Sequence, residues 1–185
     1  MDRLNRPARR PRLAAVLLLL TAVVLLFGWR ISRDSGIRQA DQMTREAGRL
    51  FVEWRGQAPA AAPPQVGADE AANRAAAIVG RPVLVPRGAE ISFAGTTAER
   101  AGKRRAAAVR FLSGPEAYLL LVVPREGVLA SSGKTASSPF PGASFLSGER
   151  GGVSFVLWKR GALFYCLVSD RDLTRLFEVV RRQFP

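Results

Sequence analysis

The chain has 185 residues, no histidine and one cysteine, Cys166. Each shortage excludes chemistry. Without imidazole there is no Ser-His or Cys-His pairing and no histidine general base. Zinc centres are built from clusters of Cys and His, and no such cluster can form. A lone cysteine closes no internal disulfide, so any folded part is held by its core. Cys166 sits in the run LFYCLVS. There the plainer reading is a small buried hydrophobe in a strand, and a reactive thiol is the alternative. Acidic residues are also few, 15 against 28 Lys and Arg, for a formal charge of +13. The carboxylates Glu90, Glu99, Glu116, Glu126, Glu149, Asp170 and Asp172 are scattered, with no paired motif around them. There is neither a Gly-x-Ser-x-Gly elbow nor a P-loop. The expectation is a protein with no catalytic, cofactor-binding or metal-binding residues.

What the chain has in abundance at its start is arginine and leucine. Arg3, Arg6, Arg9, Arg10 and Arg12 stand before an uncharged run from Leu13 to Trp29, and nothing like that run recurs. Its seventeen residues make a helix roughly 26 Å long at about 1.5 Å per residue. The hydrocarbon core of a bilayer is about 30 Å thick, so this is the short end of a spanning helix. Trp29 suits a headgroup-level anchor, and Arg12 and Arg30 can extend the span by snorkelling. The basic tail, residues 1–12, is expected to stay cytoplasmic and everything beyond 30 to lie outside. A cleaved signal peptide shares the basic start, but its apolar stretch is shorter and ends in small residues. Here the run closes on Phe27-Gly28-Trp29-Arg30, so an uncleaved signal anchor over 13–30 is the expectation. Seven Arg against Asp2 give residues 1–33 a charge of +6, which leaves +7 for the rest. Export argues against a nucleic-acid partner. Such a surface is either plain solvated charge or a match for anionic headgroups or an acidic protein.

Beyond the anchor, residues 31–55 read as an amphipathic juxtamembrane stalk. Met43, Ala47, Leu50, Phe51 and Trp54 share one face of a 3.6-residue period. Such a helix could pack on its own domain, lie near the membrane or dimerise. Residues 56–67, GQAPAAAPPQVG, form a Pro/Ala linker that breaks helices. The domain proper is expected over 68–185. It opens with an Ala-rich helix beginning at Asp69 and stopped by Gly80 and Pro82. Strands are expected at 82–86, an edge because of its prolines, and at 90–99, 103–111 and 117–124. The last of these, AYLLLVVP, is apolar on both faces, as a covered central strand would be. Residues 125–151 are rich in Gly, Ser and Pro and read as a long loop. GVSFVLW and LFYCLVS then form a hairpin around Lys159-Arg160-Gly161-Ala162. A capping pattern, Ser169 to Asp172, precedes a helical stripe of Leu173, Leu176, Phe177, Val180 and Phe184. The predicted architecture is α+β, an antiparallel sheet of four to five strands with helices on one face.

The stretch from Gly152 to Leu176, GVSFVLWKRGALFYCLVSDRDLTRL, resembles the C-terminal extracytoplasmic domain of membrane-anchored anti-sigma factors. There a strand ending in Trp, a basic Gly-containing turn and a Tyr-bearing strand closing in Val-Ser-Asp lead into a helix with spaced Leu. The matching residues are Trp158, Gly161, Tyr165, Val168-Ser169-Asp170, Leu173 and Leu176. The upstream GKRRAAAVRF and LLLVVP resemble the family's preceding strands, so the likeness covers roughly 80–184. Two features depart from it. Only twelve residues precede the apolar run, without the His and paired Cys of the family's cytoplasmic zinc-binding domain. The hairpin also has Ala162 and Cys166 where other residues are usual.

The resemblance implies a non-catalytic sensing or protein-interaction module of transcription regulation, on the outer (periplasmic) side of a bacterial inner membrane. Its partner would be a separate anti-sigma or sigma-system protein. The alternative is an accessory subunit of an envelope biogenesis or transport complex. Trp158, Lys159, Arg160 and Tyr165 are the candidate partner-contact residues, although for the two aromatics a core or edge position is the plainer reading. Lys103-Arg104-Arg105 reads as a solvated strand entry.

Overall fold

A strand with no polar face belongs in the middle of a sheet covered on both sides. The computed structural model, which describes residues 21–23, 26, 39–57, 66–125 and 145–184, puts AYLLLVVP there. The elements in chain order are a helix over 39–56 (α1) and a helix Ala68–Val79 (α2), then three strands, Ile91–Ala101 (β1), Arg104–Ser113 (β2) and Glu116–Pro124 (β3). Three more strands, Phe145–Arg150 (β4), Val153–Arg160 (β5) and Leu163–Ser169 (β6), lead into the last helix, Leu173–Gln183 (α3). All six strands form one antiparallel sheet in the order β1-β2-β3-β6-β5-β4. Two meanders thus meet at β3 and β6, which take the centre.

The alternation of side chains divides the core into two layers. Tyr118, Leu120 and Val122 of β3, with Tyr165 and Leu167 of β6, face α2 and α3. Leu119, Leu121 and Val123, with Phe164, Cys166 and Val168, face α1. The expectation of helices on one face is therefore corrected: they cover both. The physical reason was already in the amphipathic stripe of α1. Met43, Ala47, Leu50 and Phe51 are buried against the sheet, so the stalk candidate is a structural layer of the domain. Ion pairs hold it near both ends, Asp41 with Arg150 at 2.7 Å and Arg55 with Asp170 at 2.9 Å. Its first turn also lies against the β1–β2 turn, where Gln42 Oε1 is 2.8 Å from where a Cβ on Gly102 would sit. Gly102 and Arg150 occupy diagonally opposite corners of the sheet. Strand twist of about 20–25° per step accumulates over six strands and folds those corners toward the same face.

Four further expectations change. The sheet has six strands, because Phe145–Arg150 of the supposed loop 125–151 pairs with β5. Residues 82–86 form no strand and join no ladder. Val83 and Val85 are buried in the α2/α3 layer, and Leu84 is 43% exposed. The cap of α3 is Asp172 itself, accepting from the Arg175 N–H at 2.8 Å, rather than Ser169. Ser169 is buried instead and donates to the carbonyl of Ala117 at 2.8 Å. Lastly, α2 begins at Ala68, with Gly67 in the capping position, and ends as expected at Gly80 with φ 73°.

The anchor candidate 13–30 lies outside the described residues except for Thr21, Ala22, Val23 and Leu26, which are helical and exposed. Among the described residues no helix is long and apolar enough to cross a membrane. Most of the linker, 58–65, and of the loop, 126–144, also lie outside them.

Candidate interaction surface

The β5–β6 hairpin brings all four candidate residues together, in two different environments. Cross-strand register places Trp158 opposite Tyr165. Their rings stack at 5.4 Å and 15°, and Phe184 meets Trp158 edge-on at 5.2 Å. Trp158 is 5% exposed and Tyr165 2%, so both aromatics belong to the core beneath the hairpin tip. Burial pushes the Tyr165 hydroxyl up from its ordinary pKa, against the weaker pull of the Leu84 N–H that donates to it at 3.3 Å. The two cations are exposed at the tip. Gly161 opens the two-residue turn with φ 58°, the first position at which a tight II′-type hairpin turn requires glycine. Alternation sends Arg160 toward the Trp158 side and Lys159 toward the α1 side.

Beside the tip is a shallow hollow of about 240 Å³. Arg81, Pro82 and Leu84 wall one side, and Arg160, Gly161 and Leu163 wall the other. The exposed Leu84 is its apolar element, flanked by two guanidinium-bearing residues. Sequence reasoning did not find Arg81 or Leu84, because PVLVP reads as an edge strand and its proximity to the hairpin is purely tertiary. A second, larger hollow of about 440 Å³ lies between α1 and the β4–β5 turn, lined by Gly48, Val52 and Val153 and by Arg45, Arg49 and Arg150.

The sheet's two rims differ in charge. At the rim holding the β1–β2 and β5–β6 turns stand Arg100, Lys103, Arg104 and Arg105, then Arg125, Lys159 and Arg160. Segments 100–105, 122–125, 145–147 and 158–164 contain no acid. The opposite rim carries Glu90, Glu116, Glu149, Asp170 and Asp172. There Glu116 organises a polar cluster. It accepts from the Tyr118 hydroxyl at 2.6 Å and from Arg175 Nε at 3.0 Å, with Arg171 Nε at 3.6 Å. Burial alone would raise the Glu116 carboxyl, but the bonds from Tyr118 and Arg175 carry it below the usual carboxylate range. Burial and the Glu116 carboxylate raise the Tyr118 hydroxyl, and Glu116 and Glu178 raise Arg175. This cluster ties the start of α3 to β3 and stays charged at neutral pH.

Cys166 is fully buried in the α1-side layer, and burial alone raises its thiol far above the ordinary value. Among the described residues no group of three Cys, Asp or Glu side chains gathers as a metal site. No protein-family model, curated protein or solved structure matches the chain. What the surface can do chemically is therefore read from the rim itself. It offers exposed cations beside an apolar spot, Arg81 and Arg160 flanking Leu84.

Proposed function

We propose that the chain is a single-pass membrane protein whose C-terminal α+β domain works outside the cytoplasmic membrane as a non-catalytic interaction module, like the outer domain of membrane-anchored anti-sigma factors. The observation that carries this reading is the β5–β6 tip. Lys159 and Arg160 project from a stacked aromatic base, beside a hollow walled by Arg81 and Leu84. The apolar run behind five arginines supplies the anchor and the orientation. Non-catalytic use is supported by the missing histidine, by a single thiol held protonated and by carboxylates that serve as caps and ion-pair partners. The partner is a separate protein with an acidic segment, a component of a sigma-factor system in the reading the resemblance favours.

Photo-crosslinking from position 162, beside the tip, in native membranes tests this. One protein partner should be captured, and Lys159→Glu with Arg160→Glu should abolish the capture. Reporter fusions at each end of the chain should place the N-terminus inside and the C-terminus outside. Recovery of no partner, or an equal yield from the charge-reversed variant, would sink the proposal.

A further inference from the structure

The β1–β2 hairpin is a second basic tip, and its charges are arranged at a cost. Arg100 and Arg105 are direct cross-strand partners, and Ala101 and Arg104 come next before the Gly102-Lys103 turn. Directly opposed residues share a face of the sheet, and like charges so placed destabilise the pair. Arg100, Lys103 and Arg105 are all exposed. Among the described residues none of the three makes an ion pair, since nearby Glu99 reaches Arg110 instead, at 3.9 Å. A hairpin that holds exposed cations side by side without internal neutralisation is open to an external anion.

The position of the tip says which anion. The first turn of α1 packs against this hairpin, with Gln42 against Gly102 and with Ala40 and Met43 in one cluster with Ala101 and Ala106, on the face opposite the one that Arg100 and Arg105 share with Ala107. The acids of that part of α1 are already occupied. Asp41 is bonded by Arg150 and Arg45, which hold it below the usual carboxylate range, and Glu46 is bonded by Arg49. Only the eight residues 31–38 separate Gln39 from the end of the apolar run at Arg30. Fully extended they span at most about 29 Å, and any turn shortens that. With the run as an anchor, the start of α1 and the hairpin resting on it are thus kept within reach of the bilayer surface.

We infer that Arg100, Lys103 and Arg105 dock on the anionic lipid headgroups of the membrane in which the chain is anchored. The inference rests on the anchor reading given above. Headgroup phosphates between Arg100 and Arg105 relieve the repulsion that the register imposes. Each cation brought to an anionic surface strengthens the contact on the order of fivefold, in a salt-dependent way. Docking presses the whole basic rim toward the membrane. The β5–β6 tip, three strands away along the same rim, then meets only partners that are themselves at the membrane surface.

The test uses the full chain in lipid nanodiscs, one set of phosphatidylcholine alone and one containing phosphatidylglycerol. Amide hydrogen exchange is read at the Gly102-Lys103 turn and at Gly114 in the β2–β3 turn of the opposite rim. The expected result is exchange about tenfold or more slower at Gly102-Lys103 in anionic discs only, reversed by added salt, with Gly114 unchanged. The triple variant Arg100→Glu, Lys103→Glu, Arg105→Glu should lose the protection. The milder Arg100→Gln, Lys103→Gln, Arg105→Gln should lose it with the β3 amides still fully protected, which excludes misfolding as the cause. Equal exchange in the two lipids, or protection that survives the triple variants, overturns the inference while leaving the anchor in place. A chain that does not stay in the disc overturns the anchor reading and the inference together. Protection seen only in native vesicles, and lost when their proteins are stripped, overturns lipid in favour of an acidic protein.

Discussion

Replacing Trp158 by alanine separates a core residue from a contact residue. A buried aromatic side chain removes about 150–250 Å² from water. At about 25 cal/mol per Å² that is on the order of 4–6 kcal/mol, an upper value because the unfolded chain already hides some of it. Trp158 is 5% exposed and is the ring on which both Tyr165 and Phe184 rest, so both lose a partner. Large-to-small changes at such sites cost about 3–5 kcal/mol, because neighbours fill the gap only in part. Around 4 kcal/mol should lower the melting temperature of a chain this long by roughly 8–16 °C. Near-UV circular dichroism of the full chain in detergent micelles reads this directly. Urea titration should show a lower midpoint at an unchanged slope. Trp158→Phe keeps a ring and should recover about half of the loss. A fall of less than about 2 °C for Trp158→Ala would refute the stacked core beneath the hairpin, and with it the division of the tip into buried aromatics and exposed cations.

Three further outcomes follow from the same geometry. The Glu116 carboxyl is lowered in the folded chain, so its contribution is present above the unfolded value of about 4.3 and is lost as pH falls through the folded one. The melting-temperature gap between the wild type and Glu116→Gln should therefore be constant around neutrality and shrink in acid, and a gap that grows in acid would contradict the cluster. Asp172→Ala removes the side-chain acceptor for the Arg175 N–H and should cost about 1 kcal/mol, with faster amide exchange confined to the first turn of α3. Cys166, fully buried with a raised thiol pKa, should resist a water-soluble maleimide in the native chain and react at the rate of unfolding once urea is added, as mass spectrometry would show.

The α+β class, the central covered strand, the Gly152–Leu176 hairpin-helix unit and the stripes of α1 and α3 were legible because hydrophobic period is a local signal. What was lost is tertiary. Phe145–Arg150, FLSGER, has only two large apolar residues, both near its start, and follows a Gly/Ser/Pro-rich stretch, so nothing local separates it from a loop. PVLVP alternates like an edge strand, yet it spends its alternation on the α2/α3 layer instead of a ladder. The apolar face of α1 was evident, but a stripe does not name the surface it covers. Ser169 and Asp172 both fit a capping pattern, and only burial of the Ser169 hydroxyl against Ala117 decides between them. At the candidate surface the sequence supplied Lys159 and Arg160, while Arg81 and Leu84 arrive through the fold alone.

Because helices occupy both faces of the sheet, its broad surfaces are closed to further change. A larger side chain on β3 or β6 meets a helix whichever way it points. Freedom to vary is left at the hairpin ends, where Gly114, Gly151-Gly152 and Gly161 carry short exposed turns. Insertions and grafted peptides are tolerated at sites of that kind. The domain is thus a ready display frame, able to carry a new recognition loop at any of three tips while its two-layered core stays as it is.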